Sequence, residues 1–164
     1  MVKNNIKDKK GFTIIEVVLV LVIAGLIFLM VFIALPALQR SQRDTQRRND
    51  MSRMASAITN WQTNHNGNLP LQADVDPTGT FYKNYLHASG DTFKDPDGSD
   101  YSIKNIQLTS SATTGSASDY GKHEIRFYKQ AYCNGETPTY KAGNNNYALV
   151  YKLEGAGTAC LDNQ

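Results

Sequence analysis

Apolar residues are distributed very unevenly along this chain. Phe12 to Leu38 is almost solid hydrophobe, and Val17 to Leu35 is nineteen residues without a charged or strongly polar side chain. About 20 apolar residues span a bilayer as a helix, whereas a secretory signal has an apolar region of only ~7–15 followed by a small-residue cleavage site. Here the small residue, Gly11, precedes the run. The pattern predicts a retained membrane helix over 12–38, with Gly25 and Pro36 as its weak points. Pro36 lacks a donor and crowds the preceding turn, so a kink or local opening is expected there. Beyond it the pattern changes. Over 39–65 the apolar positions Met51, Met54, Ile58 and Trp61, with Ala55 beside them, recur at three and four and form one narrow helical stripe. Arg40 with Asp44, and Asp44 with Arg48, stand at i,i+4 and support that helix. "NGNLP" (66–70) ends it, Gly67 being suited to a left-handed cap.

Residues 66–120 read as loop-rich, with "DPTG" and "DPDGSD" as turns and "TSSATTGSAS" as a low-complexity stretch. Two segments then read as strands, 123–133 and 146–154, followed by a short third, "TACL". In the second, Tyr147, Leu149, Tyr151 and Leu153 alternate with Ala148, Val150, Lys152 and Glu154, the period of a half-buried strand. All nine tyrosines lie beyond residue 80 and are expected to pack on a sheet face. The fold class is therefore α+β: a long N-terminal helix whose Met51/Ile58/Trp61 stripe covers a small antiparallel sheet.

Charge refines the picture. The net charge of +2 comes from +3 over residues 1–11, +3 over 39–58 and −3 over 59–164, with Glu16 making up the balance. A globally basic character is therefore no argument for nucleic acid. The rule that places Lys and Arg on the cytoplasmic side ties, because both flanks of the apolar run score alike. Cys133 and Cys160, the two cysteines, break the tie. A well-separated pair in a polar domain beyond an anchor points to a disulfide and an oxidising compartment, so the C-terminal part is expected outside; the alternative is two free, half-buried thiols. A bond would close a loop of 28 residues, worth roughly 3.5 kcal/mol by chain entropy.

The candidate chemistry lies in "KKGFTIIE" (9–16). A carboxylate inside a bilayer costs ~2.5–3.5 kcal/mol at the centre and less near the interface, so Glu16 needs a partner. Were the chain cut between Gly11 and Phe12, the new α-amine of Phe12 would be a cation at the depth of Glu16. Charges on neighbouring chains could then neutralise one another, which makes Glu16 an assembly device.

These residues resemble a known family. The basic leader ending in Gly11, then Phe12, Thr13, Glu16, Gly25 and a helix-breaking proline are similar to the class III leader and N-terminal helix of type IV pilins and pseudopilins. The resemblance implies cleavage after Gly11 by prepilin peptidase and N-methylation of Phe12. It also implies filaments whose core bundles these helices, Glu16 facing a neighbour's N-terminus. Pro36 stands three residues later than in the commonest pattern. The implied organisation is a cleaved leader (1–11), a transmembrane and assembly helix (12–38) containing Gly25 and Pro36, its polar continuation (39–65), and a head (66–164) with a disulfide-bounded C-terminal segment. The implied partners are prepilin peptidase, other pilin subunits, the membrane crossed once, and an assembly platform with its ATPase. The implied location is the cytoplasmic membrane with the N-terminus inside, then the cell-surface pilus. Within the family the chain could be a major pilin serving adhesion, twitching or DNA uptake, a minor pilin, or a type II secretion pseudopilin. Outside it, the rival is an anchored receptor or binding head that does not assemble.

Other signals are weaker. Asp95, Asp97 and Asp100 offer oxygens to calcium, but "DPDGSD" is first a turn and lacks the bidentate Glu of an EF-hand. The arginines from Arg40 to Arg53 are expected to form a solvated face and inter-subunit bridges rather than to hold DNA phosphates. His65, His87 and His123 have neither zinc spacing nor a nucleophilic partner set. No cofactor, metal or enzymatic activity is expected. "TSSATTGSAS" could carry glycans, although the chain has no N-x-S/T site.

Overall fold

The computed structural model describes residues 11–90, 92–109, 120–155 and 157–164. The leader up to Lys10 and nearly all of "TSSATTGSAS" lie outside these residues. The chain divides into two compact units, one ending at Gln39 and the other comprising Arg40–Gln164. A long helix, α1, runs Ile14–Asn64 and contains Pro36. The helix does not open there: the proline removes one backbone donor, and the remaining ladder carries α1 onward. From Phe12 to Leu38 the large apolar side chains are exposed, Phe12 at 83% and Ile14 at 86%. One helix of the described residues is long and apolar enough to cross a membrane, with a mean hydropathy of 3.4 over its most apolar window.

In the second unit the stripe does what its spacing predicts. Met51, Met54, Ile58 and Trp61 are buried, joined by Ala57. The helix ends with Asn66 at φ 53° and Gly67 at φ 80°, and the Gly67 N–H donates to Gln62 O at 2.8 Å. Asn tolerates the left-handed position after glycine best, so the stop falls where "NGN" puts it.

The segment expected to be mostly loop holds more structure than that. It contains α2 (Gln72–Val75), a π-helical turn (Tyr82–Leu86), a 3₁₀ turn (Ala88–Gly90) and a strand, β1 (Ser102–Gln107). These elements are too short for periodicity to show, and they are held by Val75, Phe81, Leu86, Phe93 and Tyr101 in the core. Strands β2 (Glu124–Lys129), β3 (Ala131–Asn134), β4 (Thr137–Tyr140), β5 (Tyr147–Lys152) and β6 (Thr158–Asp162) follow. The expected single strand 123–133 is two, because Gln130 at φ 54° turns the chain out of one sheet into another.

The main sheet has the order β1-β2-β5-β6, and β3-β4 form a separate hairpin. Pairs β2–β5 and β5–β6 are antiparallel as expected, but β1 and β2 are parallel. A parallel pair needs a crossover of a dozen or more residues, and the connection 108–123, carrying the Ser/Thr-rich stretch, supplies it. The open edge of β1 is closed by a side chain. Gln72 donates its amide to Ile103 O at 3.0 Å and accepts the Asn105 N–H at 2.7 Å, copying the bonds of a parallel strand beside Lys104.

Strand β5 is buried on both faces rather than one. Tyr147, Leu149 and Tyr151 join Ile125, Phe127 and the α1 stripe in one cluster. Ala148 and Val150 join Tyr128, Leu108, Tyr120 and Ala131 in a second, with Cys133 and Cys160 packed against it. The hairpin covers the face that alternation alone left to water. The tyrosines act as packing residues, six of them buried.

Candidate functional site

Thr13 and Glu16 open α1. The backbone N–H groups of Glu16 and Val17 donate to Thr13 O at 3.1 and 3.3 Å, and the Thr13 hydroxyl donates to Glu16 Oε2 at 3.5 Å. Thr-x-x-Glu is the capping-box spacing: threonine flanks the helix and the acid stands three residues on, near the positive end of the dipole. The sequence carried this signal plainly, as a second reason for Glu16 beside assembly. Thr13 is the one hydrogen-bonding side chain given to the Glu16 carboxylate among the described residues. Phe12, Glu16, Val17, Val20 and Leu21 line an apolar groove along the helix surface. Further along, a Cβ built on Gly25 would meet nothing within 4 Å. Among the described residues no contact calls for glycine there, although glycine in mid-helix costs about 1 kcal/mol relative to alanine. Gly11, Phe12, Glu16, Gly25 and Pro36 thus all lie on one exposed segment, and Cys133 and Cys160 are joined in a disulfide with Cα atoms 5.8 Å apart.

The second concentration of chemistry is an ion network on the polar part of α1. Arg47 is buried and donates to Asp95 twice, Nε to Oδ2 at 2.7 Å and Nη2 to Oδ1 at 2.9 Å. It also reaches Asp44 at 3.1 Å and Glu154 at 2.9 Å. Arg43 closes on Glu154 at 2.6 Å. Asp44 spends its oxygens on the backbone N–H groups of Glu154 and Gly155. The i,i+4 pairs Arg40–Asp44 and Asp44–Arg48 therefore give way to an i,i+3 pair with Arg47 and to the turn after β5. Arg43 and Arg47 are likewise not a solvated face; they bind carboxylates of their own chain. Arg43, then Arg47, holds the Glu154 carboxyl down at about 2. Burial pushes the Asp50 carboxyl up, against the hydrogen bond it accepts from Tyr101 at 3.1 Å.

The three aspartates of "DPDGSD" separate. Asp95 is sunk against Arg47, Asp100 pairs with Lys94 at 3.2 Å, and Asp97 turns toward Lys122 and His123. Backbone and side-chain bonds from Ser99 hold the Asp97 carboxyl well below the usual range. His123, unremarkable in the sequence, comes within 3.6 Å of Asp95 and 3.4 Å of Asp97. Asp95, Asp97 and His123 could each offer a ligand atom within 4.8 Å of the others. Both Asp95 oxygens already accept from the Arg47 guanidinium, whose positive charge stands beside this group. His65 stacks on Trp61 and His87 on Tyr82, both as parts of the packing.

Residues 6–32 match the prokaryotic N-terminal methylation motif, the class III leader of type IV pilins. That motif implies processing by prepilin peptidase and assembly with other pilins. No curated protein and no solved structure matches the chain. The architecture, a long N-terminal helix with an apolar stretch before a small antiparallel-rich sheet, is a type IV pilin-like α+β fold.

Proposed function

We propose that this chain is the precursor of a structural subunit of an extracellular type IV pilus. It inserts with the basic leader in the cytoplasm and residues 12–38 in the membrane. Prepilin peptidase cuts between Gly11 and Phe12 and methylates the new N-terminus. The freed α-amine of Phe12 is a cation four residues from Glu16, so an incoming subunit offers it to the carboxylate of its neighbour. Neutralising the two charges together lowers the cost of holding either in an apolar helix bundle. Gly25 lets a second helix approach closely, and Pro36 sets where the helix is weakest when the filament is loaded. An assembly platform and its ATPase supply the work, and the disulfide-tied head faces the exterior. The role is structural rather than enzymatic, serving adhesion, twitching or DNA uptake.

The observation that carries this reading is Glu16 itself: one carboxylate on an exposed apolar helix, directly after a methylation motif, with Thr13 as its hydrogen-bonding neighbour. Intact and N-terminal peptide masses of the protein from its native cells test it. A chain beginning at Phe12 and one methyl group heavier is the expected result. A mature chain still carrying Met1 to Gly11 would overturn the reading and favour an anchored receptor.

A further inference from the structure

A groove of about 620 Å³ opens in the head, where the end of α1 lies near the β2–β3 junction. Half of its lining residues are carboxamides, Asn64, Asn66, Asn68, Gln107, Gln130 and Asn144, and its two charged residues are Asp74 and Lys129. Three of the carboxamides form a directed relay. Gln107 Nε2 donates to Gln130 Oε1 at 2.7 Å, and Gln130 Nε2 donates to Asn144 Oδ1 at 3.4 Å. The relay fixes which way each amide faces, so an acceptor stands at the Gln107 end and a donor at the Asn144 end.

Gln130 occupies the central place at φ 54°. Glycine adopts that conformation freely and glutamine only against its Cβ. A plain turn between β2 and β3 would be better served by glycine, so the side chain is what this position adds.

Two further features line the same groove. The His65 ring lies over Trp61 with centroids 3.6 Å apart and planes 8° apart, and its Nδ1 is 2.9 Å from Trp61 O. A carbonyl only accepts, so Nδ1 carries the proton and Nε2 of the neutral ring is left as an acceptor. Lys129 brings an ammonium with no carboxylate at ion-pair distance among the described residues. The face of Phe127 is 5.9 Å away, and Asp74 acts from longer range while its own Oδ2 accepts the Leu71 N–H. Burial lowers the Lys129 pKa, against the attraction of Asp74, which raises it.

We propose that this groove is a binding site for a saccharide unit carrying a carboxylate. Side-chain amides donate and accept at once, as vicinal hydroxyls do, and so match a polyol without imposing charge. The flat imidazole over indole offers a face for sugar C–H groups. Lys129 supplies a cation for the carboxylate, which can accept a charge-assisted hydrogen bond from its ammonium. The site lies wholly within Arg40–Gln164.

Trp61 is the sole tryptophan, so its fluorescence reports on this groove directly. The full chain in detergent is titrated with sialyllactose and with a uronic-acid disaccharide, lactose serving as the neutral control. The expected result is a saturable change with both acidic sugars and at least tenfold weaker binding of lactose. Lys129→Gln should erase that tenfold preference, and Asn144→Ala, in an exposed loop, should weaken all three sugars at unchanged circular dichroism. Absence of a saturable change with the acidic sugars, equal binding of lactose, or binding that both variants leave untouched would overturn the proposal.

Discussion

Arg47 and Asp95 stand 48 positions apart and meet in a site where their side chains are 3% and 0% exposed. The aspartate receives two charge-assisted bonds, and the guanidinium is shared with Asp44 and Glu154. Removing one partner of a buried pair leaves the other uncompensated, at ~3–5 kcal/mol. Asp95→Ala should therefore lower the unfolding free energy of the head, read from urea titration, by that amount, while Asp100→Ala, at the exposed Lys94 pair, should change it by under about 1 kcal/mol. Titration of the same network has a definite sign. The Glu154 carboxyl is held at about 2 against an ordinary 4.5. Its contribution is present above 4.5 and is lost as pH falls from there through about 2. Asp50, with its carboxyl raised by burial, works the other way, its ionisation costing stability as pH rises through the ordinary carboxylate range. Stability should fall on acidification below about 4.5, and Glu154→Gln should flatten that limb in melts run across pH. None of this network was legible in the sequence. Spacing along a helix proposes i,i+4 partners, but the carboxylates that Arg47 uses come mostly from loops brought in by the tertiary fold.

At the scale of elements, what repeats is legible and what is short is not. The stripe from Met51 to Trp61 spans three helical turns, so its period fixes the buried face of α1. Strand β5 alternates visibly, yet alternation identifies only one buried face, and the second is covered by a hairpin that periodicity does not place. Strand β1 and α2 have six and four residues, too few for a period, and they stand because Gln72 and the aromatic core hold them. The cysteine pair was readable, and its structural role follows from where it falls: Cys133 is in β3 and Cys160 in the edge strand β6. The bond spans 27 positions, which the chain-entropy relation converts to about 3.5 kcal/mol. Cys133→Ser with Cys160→Ser should lower head stability by about that much, with the β3–β4 hairpin losing hydrogen-exchange protection before β2 and β5. Equal loss of protection across all strands would show that the hairpin is not a separable cover.

At the scale of the whole molecule, two units obey different solvents. The unit from Arg40 onward buries its apolar stripe against its own sheet, while the segment before Gln39 leaves Phe12 to Leu38 exposed. That division was visible in the hydrophobic pattern from the start, because apolar residues without polar interruption have no aqueous place in a head of this size. Glu16 is the exception, and its partner belongs to another chain in the proposed filament. For a subunit alone in the bilayer, Glu16→Ala removes a charge whose cost approaches ~2.5 kcal/mol toward the centre, so the variant should enter and remain in the membrane at least as well as the parent. For the filament, the same change deletes the group that receives the neighbour's α-amine. Membrane fractions should therefore retain the protein at parental levels while sheared surface fractions lose it. Glu16→Gln keeps the size and the hydrogen bonding and drops only the charge. If the attraction between carboxylate and amine drives addition of subunits, the glutamine variant should fail with the alanine one. Filaments from Glu16→Gln at parental yield would place the force in shape and hydrogen bonding, and filaments from Glu16→Ala would remove Glu16 from assembly altogether.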